Sequence, residues 1–172
     1  MQKRNRLRFN TSRIKVPLLF TLAVVVIDQA SKYLVRATVP GHEAIGVIKG
    51  FFQIVYAKNT GVAFGLLASL DPKVMNPLLS LVNVVIMAIL ICLVLIEEFN
   101  LPTRAAFGLI LGGAAGNLID RVSLGFVVDF LDFYIGRFHW PAFNVADAAI
   151  TAGVFLMIAD TLILHRKRKR QA

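Results

Sequence analysis

The sequence has 172 residues, 57% of them hydrophobic and 17% charged, with a formal net charge of +9. Soluble domains are usually about 45–50% apolar, so the excess, gathered in long runs, excludes an ordinary water-soluble globule. Eleven of the 19 Lys and Arg residues stand in two short tails, Lys3–Lys15 and Arg166–Arg170. That placement fits cytoplasmic flanks of membrane spans beside anionic lipid and argues against a nucleic-acid surface.

Four apolar runs are long enough to cross a bilayer, at roughly 17–39, 76–96, 102–121 and 144–164. They leave no room for a separate soluble domain, and the chain reads as one integral membrane unit with tails at 1–15 and 165–172. The first run follows a basic stretch, as in a signal peptide. It ends in Asp28, Gln29, Ser31 and Lys32 instead of the small residues of a cleavage site, which predicts an uncleaved span. With both tails cytoplasmic, the loops 40–75 and 122–143 face the outside. In the first of these, Phe52, Ile54 and Tyr56 alternate as in a strand. Phe64–Leu70 is apolar but too short to span, and predicts a short interfacial helix. The fold class expected is therefore an all-α membrane protein with four transmembrane helices, a small extracytoplasmic sheet as a cap, and that interfacial helix. Pro77, Pro102 and Pro141 stand near the starts of spans two, three and four, where a missing N–H costs little. Span three carries Gly108, Gly112 and Gly116, with further Gly and Ala around them. Small residues let helix backbones approach closely in lipid, so this span is expected at the centre of the bundle. Cys92, the single cysteine, makes neither an internal disulfide nor a thiolate metal site and reads as apolar filler.

The polar residues within the spans share a depth. Asp28, Lys32 and Arg36 lie in the second half of span one; Ser80 and Asn83 in the first half of span two; Asn117, Asp120 and Arg121 at the end of span three; Asn144 and Asp147 at the start of span four. Alternating span directions bring all four sets to the outer half of the membrane. Asp160 falls far deeper, near the basic tail that would balance it. Ionisable groups inside a membrane are expensive and point to function.

There is no HExxH, no paired His and no Cys cluster, so neither a metal nor another cofactor is expected. Ser31, Ser80 and Thr151 have no Lys or His at a nucleophile–base spacing. Carboxylates remain: two that share a proton serve as general base and general acid in one site. Asp28 has Lys32 one helical turn away, which predicts an ion pair, and Asp120 with Arg121 reads as a second paired group. Asp129 and Asp132 lie in the apolar VVDFLDF, and Asp147 follows Asn144 by three residues. Asp129 and Asp147 have no adjacent cation. Facing one another across the turn between spans three and four, they would form a dyad. Held apart, they would leave a small transporter or a scaffold subunit as the alternatives.

At these residues the sequence resembles the bacterial lipoprotein signal peptidase family, signal peptidase II. The resemblance rests on DQASK (Asp28–Lys32), NTGVAFG (Asn59–Gly65), GGAAGNLIDR (Gly112–Arg121), VVDFLDF (Val127–Phe133) and FNVADAAI (Phe143–Ile150), in the family's order. It implies a membrane aspartic endopeptidase of the bacterial inner membrane. Such an enzyme removes the signal peptide from prolipoproteins already carrying diacylglyceryl on a cysteine, cutting on the N-terminal side of that cysteine. By motif, Asp129 and Asp147 would be catalytic, and Asn117 and Asn144 would flank them. Asp28, Lys32, Asn59, Gly61, Asp120 and Arg121 would support the site or touch substrate. The expected partners are the lipidated prolipoprotein and membrane lipid, with the enzyme a monomer.

Overall fold

The computed structural model describes residues 12–39, 41, 43–61 and 72–171. Four helices carry the fold: α1 (Ser12–Thr38), α2 (Pro72–Ile96), α3 (Leu101–Leu124) and α4 (Val145–Gln171). Three of them are long and apolar enough to cross a membrane, over Arg13–Thr38, Val74–Ile96 and Val145–Ile163. The protein is thus mostly helical and built for lipid, but α3 does not belong to that set. Its 24 residues reach about 36 Å, so length is not the reason; Gly, Ala, Asn117, Asp120 and Arg121 dilute its apolar character. The segment Phe64–Leu70, expected as an interfacial helix, lies outside the described residues.

The helix ends follow local chemistry. Asn100 caps α3, its side chain accepting from the Thr103 N–H, with Pro102 in the first turn where its absent N–H is not missed. Gly125 ends α3 in the left-handed conformation, at φ 81°. Pro77 departs from expectation. It lies inside α2, which begins at Pro72, so its ring removes one backbone hydrogen bond within the helix. α4 continues as a helix beyond its apolar span Val145–Ile163 and through the basic tail.

Helix α3 is the axis, packed against α1, α2 and α4, while α1 and α2 touch little. Its glycines face different neighbours. A Cβ on Gly108 would lie 2.6 Å from the Pro17 carbonyl of α1, one on Gly112 2.7 Å from Val24 Cβ, and one on Gly113 2.3 Å from the Ala146 carbonyl of α4. Only hydrogen fits at these contacts.

Between the helices, β1 (Ile45–Ile48), β2 (Phe52–Asn59), β3 (Val127–Ile135) and β4 (Phe138–His139) form one antiparallel sheet in that order. Asn59 pairs with Val127 and Phe52 with Phe133. The strand β3 holds VVDFLDF, which carries no alternation because Val127–Phe130 is buried on both faces. Val35 and Val39, at the end of α1, pack with Phe130 beneath the middle of the sheet, with Ile54, Tyr56 and Leu131 around them.

Candidate active site

Helix α1 supplies Asp28 and Lys32, four residues apart and therefore on one face. Both are buried, at 0% and 1% exposure. Lys32 Nζ lies 2.9 Å from Asp28 and 3.1 Å from Asp120 of α3, and donates to the Asn117 side-chain oxygen at 3.0 Å. The expected Asp28–Lys32 pair is present. The expected Asp120–Arg121 pair is not: Asp120 turns to Lys32, because neighbours in a helix project about 100° apart and do not face one another. Asp120 also accepts from the Val128 N–H at 2.9 Å, tying the start of β3 to α3. Asp28 accepts from the Ala146 N–H at 2.9 Å, satisfying an otherwise unpaired donor in the first turn of α4. Gln29 completes this layer by donating to Asp28, Asp120 and the Gly116 carbonyl. Nothing in the spacing of acids and bases singled out Gln29; its place beside Asp28, and the cost of leaving its amide bare in a span, were the signals available.

Above this layer sit the two remaining acids. Asp129 is held in β3 and is 2% exposed. Its carboxylate accepts from the Asn59 amide at 2.8 Å and the Asn144 amide at 2.7 Å. Asp147 is half-buried and accepts from the Asn117 amide at 2.8 Å. Asn144 and Asp147 also close a reciprocal cap on α4: the Asp147 N–H donates to the Asn144 side chain at 2.9 Å, and the Asn144 N–H to the Asp147 carboxylate at 3.3 Å. The Asn144 amide reaches Asn117 as well, at 3.1 Å. One chain of amides therefore runs from Lys32 through Asn117 and Asn144 to both acids.

Asn144 is fixed by its own backbone. Phe143 bridges Leu131, its carbonyl accepting from the Phe130 and Leu131 N–H groups, so the residue before Asn144 is zipped to the strand that carries Asp129. Asn59 is fixed by a tight turn in which its side chain accepts from the Gly61 N–H at 2.8 Å. Gly61 sits at φ 95°, and a Cβ there would lie 2.3 Å from the tip of Leu79, so the turn rests against α2.

Among the described residues, Asp129 and Asp147 have no Lys or Arg ion-pair partner, whereas Asp28 and Asp120 share Lys32; Asp132, farther along β3, meets the His139 ring at 2.9 Å and accepts from the Gln53 amide at 2.7 Å. Burial pushes the Asp129 carboxyl up to about 6; the nearby charge of Asp147 adds to this, while the two amides and Lys32 oppose it. Arg121 makes no ion pair within this set, yet its charge acts on Asp147, Asp129 and Asp120. Asp160 lies apart. It is held by Asn100 and Thr103 at the far end of the bundle; the side chains of the tail cations expected to balance it lie outside the described ones. No group of three or more His, Cys, Asp or Glu side chains suited to a metal occurs among the described residues.

The arrangement invites comparison with known proteins. The family described as Signal peptidase (SPase) II matches residues 20–163. A lipoprotein signal peptidase of Nitratidesulfovibrio vulgaris is 44% identical over 144 residues, covering 84% of this chain and 87% of its relative. One from Syntrophus aciditrophicus is 43% identical over 162 residues, covering 91% and 99%. A solved bacterial membrane enzyme superposes with a TM-score of 0.77 at 34% identity, over 87% of this chain and 94% of its own. This chain belongs to the signal peptidase II family and is a protease.

Proposed function

We propose that the protein is an intramembrane aspartic endopeptidase. It removes signal peptides from prolipoproteins whose cysteine already carries diacylglyceryl, cutting on the N-terminal side of that cysteine. Asp129 and Asp147 form the dyad. The observation that carries this reading is the contrast in partners. Four elements converge on these two acids, and each acid is held by neutral amides, while Asp28 and Asp120 beneath them share the Lys32 cation. Burial with no cation in direct contact outweighs the two amides at Asp129 and keeps its proton close to neutral pH, as aspartic chemistry requires.

In the cycle that follows, the ionised member of the pair takes a proton from water as the oxygen attacks the scissile carbonyl. The protonated member donates to the carbonyl oxygen as negative charge develops there. The tetrahedral species collapses when the leaving amine accepts a proton from the dyad, and the C–N bond breaks. Asn117 and Asn144 set the carboxylate planes, Asn59 secures Asp129, and Arg121, whose charge reaches both acids, supports the site or touches substrate. The Asp28–Lys32–Asp120 layer holds α1, α3 and α4 in register beneath. The chain lies in the bacterial inner membrane as a monomer with four spans, both termini cytoplasmic and the dyad toward the outer leaflet. In that position a substrate anchored by acyl chains meets it laterally.

Purified protein should cleave a prolipoprotein peptide bearing diacylglycerylcysteine. Asp129→Asn and Asp147→Asn should each lower turnover by about 10²–10⁴-fold while leaving thermal unfolding cooperative. Wild-type turnover in either variant would overturn the dyad; equal cleavage of the unlipidated peptide would overturn the substrate assignment.

A further inference from the structure

We propose that the two hairpin tips of the sheet form a membrane-docking surface that seats in the headgroup region of the adjoining leaflet and favours anionic lipid. This goes beyond the proteolytic reading and does not depend on it.

The sheet rests on helix ends at two points. At its proximal end, Asn59 and Val127 adjoin the end of α3 and the start of α4. At its middle, Ile54, Tyr56, Phe130 and Leu131 lie on Val35 and Val39, at the end of α1. Two supports at one face of the bundle lay the strands across it, roughly in the membrane plane. The remaining length runs out past α1, with Ile135 about 20 Å along the strand from Asp129. Beside that support, α1 presents exposed Tyr33 and Leu34, which continue the apolar face of Val26 and Ile27 seven residues earlier, a stripe suited to lipid.

The overhang ends in two turns that touch. Tyr134 joins them: its N–H donates to the Phe51 carbonyl at 2.9 Å, and its hydroxyl accepts from the Gly50 N–H at 3.2 Å. One turn offers Ile48 and Phe51; the other offers Ile135, Phe138 and, beyond it, Trp140. Exposure reaches 72% at Ile135, 87% at Phe138 and 67% at Trp140. Such a cluster is costly in water and unnecessary for packing the sheet. Each turn also carries one cation, Lys49 or Arg137, and neither carries an acid. Aromatic side chains with apolar bodies, rimmed by Lys and Arg, suit the boundary between acyl chains and phosphate. The cations add electrostatic attraction to anionic headgroups, by about 1 kcal/mol each near the surface. Continuity with the lipid-facing stripe of α1 selects the bilayer over a protein partner.

Trp140 is the single tryptophan, so its fluorescence reports this surface alone. Full-length protein would be placed in nanodiscs of phosphatidylcholine with phosphatidylglycerol, with bromine either near the acyl carbonyl or near the terminal methyl. Shallow bromine should remove more than half of the emission and deep bromine much less, and aqueous iodide should have little effect. Lys49→Gln/Arg137→Gln should weaken shallow quenching in phosphatidylglycerol discs to the level seen in pure phosphatidylcholine. Emission quenched by iodide and indifferent to both brominated lipids would overturn the proposal. So would protection from iodide that arises only when a prolipoprotein peptide is added, which would make the tips a protein-docking surface. Equal shallow quenching with and without phosphatidylglycerol would overturn the preference for anionic lipid.

Discussion

Asp129 and Asp28 are both nearly inaccessible aspartates, and they differ in what faces them. Lys32 lies against Asp28 and Asp120, so removing it leaves two buried charges without compensation. Lys32→Met should lose about 3–5 kcal/mol in equilibrium unfolding, with part of the loss recovered by adding Asp120→Asn. Asp129 behaves in the opposite sense. Its folded value of about 6 lies above the ordinary 3.8, so the folded protein holds that proton more tightly than the unfolded chain. The resulting stability is fully present below about pH 4 and is lost as pH rises through 6, amounting to about 3 kcal/mol. Melting curves from pH 4 to 7 should show a decline in the wild type that is flattened in Asp129→Asn; parallel slopes would contradict this. The residues holding these acids were only partly legible in the sequence. Asp28 with Lys32 was readable because a four-residue spacing in a helix fixes a shared face. Asp120 was misassigned to its chain neighbour because its real partner lies on another helix. The linkage from Lys32 through Asn117 to Asn144 depends on side-chain directions that no spacing encodes.

Among the elements, α3 is the least apolar of the four helices in its long stretches and the one most covered by its neighbours. Gly113 meets the Ala146 carbonyl and Gly108 the Pro17 carbonyl, and a backbone oxygen cannot rotate away as a side chain does. Gly113→Ala should therefore push α4 off α3 and cost about 1–3 kcal/mol. Gly61→Ala meets side chains only, the tip of Leu79 and Met75 Cγ, which can shift, so its main cost comes from the left-handed backbone, about 1–2 kcal/mol. Thermal unfolding of both variants checks the order. Four helices are readable as apolar runs, and the glycines of α3 mark it as the central one. The strands were harder. β2 shows alternation, but β3 is buried on both faces at its start and reads as a featureless apolar stretch, while β1 and β4 are too short to carry a period. The apolar spans of α2 and α4, Val74–Ile96 and Val145–Ile163, follow the runs in the sequence, while both helices extend beyond them, to Pro72 and to Gln171.

At the scale of the whole molecule, α2 is the loosest member, bound mainly to α3 and through Met75 and Leu79 to the Asn59–Gly61 turn. The Arg13–Glu98 and Asn100–Asp160 contacts gather α1, α4 and the α2–α3 connection at the opposite end from the sheet. The site therefore lies at one end of the bundle, with a separate polar clasp at the other. If that clasped end faces the cytoplasm, green fluorescent protein fused to the C-terminus should fluoresce, and alkaline phosphatase fused there should be inactive. The reverse pattern would invert the topology.

The modest hydropathy of α3 also bears on how the protein is made. A helix rich in glycine and ending in Asn117, Asp120 and Arg121 has little to gain from lipid alone, so it has weak reason to leave the translocation machinery until another helix shields it. α1 and α2 are already synthesised when α3 emerges, but the α4 face of Gly113 and the Ala146 donor for Asp28 come only with the last quarter of the chain. Biogenesis should then stall in a half-inserted state until α4 arrives. A chain stopped after Gly125 should leave α3 extractable by carbonate or open to quality-control proteolysis, although the same helix is the most enclosed part of the finished fold.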